Sequence, residues 1–280
     1  MKNHITINWH ITEQCNYKCY YCFAHYDKDE RINEPIYQEN KKIDLVLDKL
    51  YKFFSKNFKE VRLNIAGGEP TLVKNLGYLI KKAYKIGFKV SIITNSSKLN
   101  KEFIKENAKF LYLYGTSIDS IDEKTIRKIG RCNREVLDIE ELKDNIRYLK
   151  IENPNIKIKI NTVVNEFNYN EYLGDFINDL ESIDKWKVLK AFPFKNKIYC
   201  NEYQFNYFLA NHSKFKRKIF KENNNDMQDS YIMIDPFGRF YQNSNNFYHY
   251  TNSILDTNIE IAFKQINFNI EKFYKRYELK

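Results

Sequence analysis

Three of the chain's five cysteines fall within eight positions, in the stretch CNYKCYYC that carries Cys15, Cys19 and Cys22. Three thiols on one loop suit a four-iron, four-sulfur ([4Fe-4S]) cluster in which one iron keeps a position free of protein ligands. The competing chemistry is a structural zinc site, for which His25, three residues beyond Cys22, would be the fourth ligand. A disulfide framework is disfavoured, because the number of cysteines is odd and the opening MKNHITINWHIT lacks the apolar core of a secretion signal. Cys132 and Cys200 stand far from this segment and read as packed thiols.

The elements that must position the loop can be read from hydrophobic periodicity. With 280 residues, 43% of them hydrophobic and 29% charged, the chain has the composition of a soluble globular protein with a large core. No apolar run approaches the roughly 20 residues needed to span a bilayer, so a cytoplasmic protein without membrane contact is expected. A formal charge of +10 favours an anionic partner without identifying one. Apolar-polar alternation predicts strands over 5–12, 61–65, 88–94, 111–118, 156–164 and 185–192. Between and after them, helical spacing covers 41–54, 74–86, 100–107, 138–150, 169–181 and 202–221. Six strand-helix units in sequence imply an α/β fold with a parallel sheet, either doubly wound or curved into a partial barrel. Residues 222–280 form a C-terminal extension with polar loops, a short strand pair around YIMIDPFGRFY and a basic aromatic tail, expected to pack on a barrel of residues 1–221.

Side-chain direction separates the two sheet forms. Successive strand residues point to opposite faces, so Asn8 and His10 share one face while Ile7, Trp9 and Ile11 share the other. The same polar face recurs with Arg62 and Asn64, with Lys157, Lys159 and Asn161, and with Lys185 and Lys187. A doubly wound sheet should be apolar on both faces of its central strands. Solvated lysines on edge strands would explain one such pattern, but four together fit an incomplete barrel whose inner face surrounds something anionic. The cysteines then lie where parallel strand-helix folds place their chemistry, just beyond the carboxyl end of the first strand.

Cys15-x-x-x-Cys19-x-Tyr21-Cys22 resembles the signature of the radical S-adenosylmethionine (radical SAM) enzymes, AGGEP (66–70) resembles their glycine-rich motif, and TNSS (94–97) stands at the end of the third strand. The resemblance implies a partial (βα)6 barrel of the TIM type, a [4Fe-4S] cluster held by the three cysteines, and S-adenosylmethionine bound to the free iron. It further implies that Gly67, Gly68 and Glu69 approach the cofactor's amine, that Tyr21 and Phe23 flank its adenine, and that Asn95 meets its ribose. Core packing competes for the two aromatics and a plain turn for the glycine pair.

A closer likeness spans about residues 5 to 260, where NWHITEQCNYKCYYCF, RLNIAGGEP, SIITNSS, SIDSIDEKTIRKIGR, KINTVVNEFN, KWKV and DSYIMID follow in order. This series is similar to the viperins in their prokaryotic form. It implies dehydration of CTP, UTP or GTP to a 3'-deoxy-3',4'-didehydro nucleotide, a terminator of RNA synthesis that serves antiviral or anti-phage defence. Carried over residue by residue, it puts Asn8, Arg62, Lys159, Asn161, Lys185, Lys187 and Tyr231 on the nucleotide, and Ser117 and Arg131 on the methionine end of the cofactor. Arg62 stands for a family lysine and Lys185 for a family arginine, exchanges that keep charge but not hydrogen-bond geometry. Tyr231, His10 and a bound water are alternatives for the group that protonates the leaving hydroxyl. A flavodoxin or ferredoxin is the implied electron donor, and a monomer the implied state. Two rivals are a radical SAM peptide modifier or enzyme activator, which would not need the inward lysines, and a basic nucleic-acid-binding protein, which would need an exposed basic stripe.

Overall fold

The computed structural model describes residues 2–22, 35–180, 182–192, 198–244 and 247–278. Phe23 and His25, expected beside the adenine and as a rival zinc ligand, lie outside the described residues. Strands β1 (Lys2–His10), β2 (Phe58–Ala66), β3 (Lys89–Thr94), β4 (Leu111–Ser117), β5 (Lys157–Val164), β6 (Ile183–Lys190) and β7 (Ile219–Glu222) run parallel in that order. On the other side of β1 come β8 (Ile232–Ile234), parallel to it, then β9 (Arg239–Ser244) and β10 (Phe247–Ser253) as an antiparallel meander. Helices α1 (Asn40–Phe54), α2 (Leu76–Ile86), α3 (Lys101–Asn107), α4 (Glu123–Lys128), α5 (Ile139–Glu152), α6 (Gly174–Asp179) and α7 (Glu202–Asn211) make the connections, followed by α8 (Asn224–Met227), α9 (Ile259–Phe263) and α10 (Ile270–Glu278).

Strand alternation sorts the side chains as the sequence implies. Ile5, Ile7, Trp9, Leu63, Ile65, Ile158, Ile160 and Trp186 are fully buried on the helix-covered face. Helix α1 meets them with Ile43, Val46, Leu47, Leu50 and Phe54, an apolar stripe at helical spacing. The opposite face curls around a cavity lined from β1 and β2 by Thr6, Asn8, Arg62 and Asn64, and from β5 and β6 by Lys159, Lys185 and Lys187. This is an open barrel, and the edge strands of its sheet are β7 and β10.

Two expectations need correction. The helix read over 202–221 ends at Asn211, where His212 turns inward, its ring against Trp186 and its Nε2 accepting the Leu173 amide at 2.8 Å. The residues beyond become β7, a seventh parallel strand, because the open edge of β6 offers ladder partners that a helix could not satisfy. Lys157, read as inward, sits at the start of β5 and pairs outside the cavity with Asp184 at 2.9 Å.

Candidate active site

The cysteine loop is clamped from two sides. From β2, the amides of Gly68 and Glu69 donate to the carbonyls of Thr12 and Gln14, each at 2.7 Å. A Cβ on Gly68 would come within 2.2 Å of the Gln14 carbonyl oxygen, so the backbones meet only because side chains are absent. From beyond α4, the amides of Lys18 and Tyr20 donate to Gly130 and Ile129, and Gly130 holds φ +73°. The glycine pair thus seats the chain's own cysteine loop, and the Gly68 and Glu69 amides are spent there.

Glu69 is fully buried, and its carboxylate accepts from Thr71 N and Oγ1 and, across to β3, from Thr94 Oγ1 and Asn95 N at 2.6 Å each. Asn95 in turn donates to Asn16 Oδ1 at 2.9 Å, within the cysteine loop, and Asn16 reaches Ser97 Oγ at 2.8 Å. These side chains therefore fasten strand ends to the loop.

Behind Cys19 lies a network in which Asp119, which motif reading did not single out, joins Tyr21 and Arg131, which it did. Asp119, fully buried after β4, accepts from the Tyr21 hydroxyl, pairs with Arg131 at 3.2 Å, and takes the Val163 amide at 2.6 Å on its other oxygen. Arg131 also donates to the Ser117 carbonyl at 2.5 Å and reaches Cys19 Sγ at 3.9 Å. Tyr21 belongs to the hydrophobic core as well as to this network. Ser117 takes part through its backbone.

All five cysteines are free thiols. Among the described residues no three His, Cys, Asp or Glu side chains are placed to hold an ion. The donor set nevertheless suits an iron-sulfur cluster: three thiols on a pinned loop, the Cys22 amide closing a turn onto the Cys19 carbonyl at 3.1 Å, and N–H groups aimed at Cys15 Sγ from Tyr17 (3.4 Å) and at Cys19 Sγ from Arg131. Burial pushes the Cys19 thiol up to about 12, so it is protonated until a metal displaces the proton.

Deeper in the barrel the charge is strongly one-signed. Arg62, Lys159, Lys185, Lys187 and Arg276 share the cavity with one carboxylate, Glu222. Lys159 has no hydrogen bond or ion pair among the described residues, and burial, then Lys187, Lys185 and Arg62, hold its pKa well below that of an ordinary lysine. Burial and Lys187 bring Lys185 down to about 8, and its ammonium lies 3.7 Å from the centre of the Phe220 ring. Lys187 is differently placed: its Nζ lies 2.7 Å from Glu222 and 2.5 Å from the Tyr231 hydroxyl, which itself donates to Glu222 at 2.5 Å. Burial opposes ionisation of Glu222, but Lys187 and Arg276 outweigh it and hold the carboxyl at about 2. Arg276, on α10, stacks on Tyr231 at 3.7 Å and donates to the Ser230 carbonyl at 2.7 Å. These contacts join β7 to the segment before β8 and to α10 through side chains.

The remaining expected residues divide. Asn161, level with Lys187, is buried, and its Oδ1 has no hydrogen-bond partner among the described residues, an acceptor open to a donor. Asn8 is satisfied, donating to Ile232 O at 3.1 Å and accepting from Asn64 at 2.9 Å, so it straps β8, β1 and β2 together. His10 is buried against the Tyr241 hydroxyl at 2.5 Å, and burial lowers its pKa to about 4, leaving it neutral near pH 7. Glu222, Arg276 and Asp119 escaped the sequence reading. Alternation in KIFKE, which puts Phe220 and Glu222 on one face, was the available signal for the first.

Residues 9–180 match the Radical SAM superfamily. Over 286 residues the chain is 42% identical to an S-adenosylmethionine-dependent nucleotide dehydratase of Psychrobacter lutiphocae, covering 98% of this chain and 95% of that protein. It is 41% identical over 300 residues to one from a Fibrobacter strain, covering 98% and 88%. Among solved structures, Streptococcus suis SuiB is similar in fold: bound to S-adenosylmethionine it gives a TM-score of 0.66 at 14% identity, over 97% of this chain and 67% of that one. Bound to its precursor peptide SuiA it gives 0.63 at 18%, over 86% of this chain, which spans 59% of that structure's length.

Proposed function

The chain belongs to the S-adenosylmethionine-dependent nucleotide dehydratases of the radical SAM superfamily, and from that premise we propose that it removes water from the ribose of a nucleoside triphosphate to give the 3'-deoxy-3',4'-didehydro analogue. The observation that carries this reading is the lumen: five cationic side chains around one carboxylate, with Lys159 unpaired among the described residues. Buried ammonium groups without counter-charges cost several kcal/mol, so the arrangement makes sense as a receptor for a polyanion. At an effective dielectric near 20, one charge pair at about 4 Å is worth on the order of 4 kcal/mol before desolvation.

Arg62, Lys159 and Lys185 bind the phosphates, and the open Oδ1 of Asn161 accepts from a sugar hydroxyl. Cys15, Cys19 and Cys22 would hold the [4Fe-4S] cluster, with Arg131 and Asp119 fixing the loop behind Cys19. When bound, the cluster and S-adenosylmethionine supply the radical that takes hydrogen from the ribose. The protein's own contribution is placement: a clamped loop above a cationic lumen holds the reacting sugar carbon within near contact. A reductant of the flavodoxin or ferredoxin class supplies electrons, and the product, lacking a 3'-hydroxyl, ends RNA chains and restrains viruses or phages.

The test is an anaerobic assay of reconstituted enzyme with dithionite, S-adenosylmethionine and CTP, UTP or GTP separately. The expected result is 5'-deoxyadenosine formation that depends on one triphosphate and yields a product lighter by one water. Cofactor cleavage indifferent to every nucleotide would sink the reading.

A further inference from the structure

Lys187, Tyr231 and Glu222 form a closed triangle of contacts at 2.5, 2.5 and 2.7 Å, and chemistry fixes the direction of each bond. An ammonium has only donors and an ionised carboxylate only acceptors. The hydroxyl between them must therefore accept from Lys187 and donate to Glu222. Its single proton is committed to the carboxylate and is not free for a ligand. Lys187, having spent two N–H groups on Glu222 and Tyr231, keeps a third.

We propose that Glu222 is a positioning residue for the dehydration, turning the Tyr231 proton aside and anchoring the Lys187 ammonium as the proton-bearing group that faces the substrate. This inference rests on the nucleotide-dehydratase reading and deepens it, since that reading leaves the source of the proton open. Glu222 is ill suited to bind a triphosphate directly, because its charge repels one. Its burial, and its contacts from β7 to β6, to the segment before β8 and to α10, suit orientation instead. The charged and titratable groups facing Lys187 are Glu222 on β7, Lys185 beside it on β6, Lys159 on β5, Tyr231 before β8 and Arg276 on α10. Glu222 is the group among them that favours the charged lysine most strongly.

The experiment compares reconstituted wild-type enzyme with Glu222→Gln, which preserves shape, and Glu222→Ala, with folding of each checked by thermal melting. Nucleotide affinity in the glutamine variant should stay equal or tighten, because a negative charge has left the cavity. Product formed per 5'-deoxyadenosine should fall by about tenfold or more, a turnover effect without a binding effect. The high-pH limb of product formation should move to lower pH. In combination with Tyr231→Phe the losses should be less than additive, because both changes break one unit. A glutamine variant that is folded and matches wild type in product ratio and pH profile overturns the inference, as does loss of affinity in proportion to turnover. Should wild type convert no triphosphate, the nucleotide reading itself fails, an outcome visible before any variant is made.

Discussion

Lys159 and Lys185 stand directly opposite one another on β5 and β6, both turned into the same cavity. Like charges in directly opposed positions of a sheet destabilise it. The pair is therefore a cost carried by the unliganded fold, and it identifies the lumen as a site organised for a ligand rather than for stability. Lys159→Met should raise the stability of the ligand-free protein by about 0.5–2 kcal/mol. The same substitution should weaken triphosphate binding by about tenfold or more, roughly 1.4 kcal/mol or greater. Chemical denaturation alongside calorimetric titration checks both signs, and a variant that is less stable yet binds normally contradicts the assignment.

Lys185 gives the site a pH dependence whose two signs differ. Burial and Lys187 bring its folded pKa from 10.5 to about 8, so between those values the unfolded chain binds more protons than the native one. Stability of the ligand-free protein should consequently rise with pH across that window. Triphosphate affinity should do the opposite, weakening as pH passes about 8, because the bound anion requires the charged lysine. Calorimetry near pH 8 in buffers of different ionisation enthalpy should reveal proton uptake on binding. Lys185→Arg, which cannot lose its charge, should reduce that uptake, leaving the share that belongs to Lys159.

The inner polar face was legible because side-chain direction in a strand has period two, so Arg62, Lys159, Asn161, Lys185 and Lys187 could be turned inward from the sequence alone. Alternation fixes the face but not how far along the barrel a residue sits, which is why Lys157 falls at the rim and pairs with Asp184. Alternation in KIFKE hints at β7 without deciding it, since Ile219–Glu222 is as compatible with a helical turn as with a strand until β6 presents an edge. Glu222 and Arg276 meet Tyr231 only through tertiary closure. The glycine motif was read as facing the cofactor's amine, and the motif alone does not reveal that the Gly68 and Glu69 amides are hydrogen-bonded to the cysteine loop or that the Glu69 carboxylate holds Asn95.

That seating of the cysteine loop makes Gly68 a sharp test of how the cluster site is built. Gly68→Ala would place a methyl group 2.2 Å from the Gln14 carbonyl oxygen and 2.6 Å from its carbon, and both obstacles are backbone. The loop must shift to make room. A cost of about 1–3 kcal/mol is expected, the range for overpacking a close contact. Iron and sulfide bound after reconstitution should fall much more than the melting temperature does. Normal cluster content in the alanine variant would show that the loop is held elsewhere.

Asp119 links Tyr21, Arg131 and the amide of Val163, so its removal should act on stability and on the cluster loop together. Asp119→Ala leaves the Arg131 guanidinium without its carboxylate partner, and breaking a buried pair from one side costs about 3–5 kcal/mol. Replacing both partners should cost less than the sum, because no uncompensated charge remains. Denaturant unfolding of Asp119→Ala, Arg131→Met and the double variant measures that coupling. The optical spectrum of the reconstituted proteins reports separately on the iron-sulfur centre, and Arg131→Met alone should alter it, since the guanidinium reaches Cys19 Sγ at 3.9 Å. If the two single losses simply add while the spectrum stays unchanged, Asp119 and Arg131 do not act as one unit, and the cysteine loop owes its position to the glycine contacts alone.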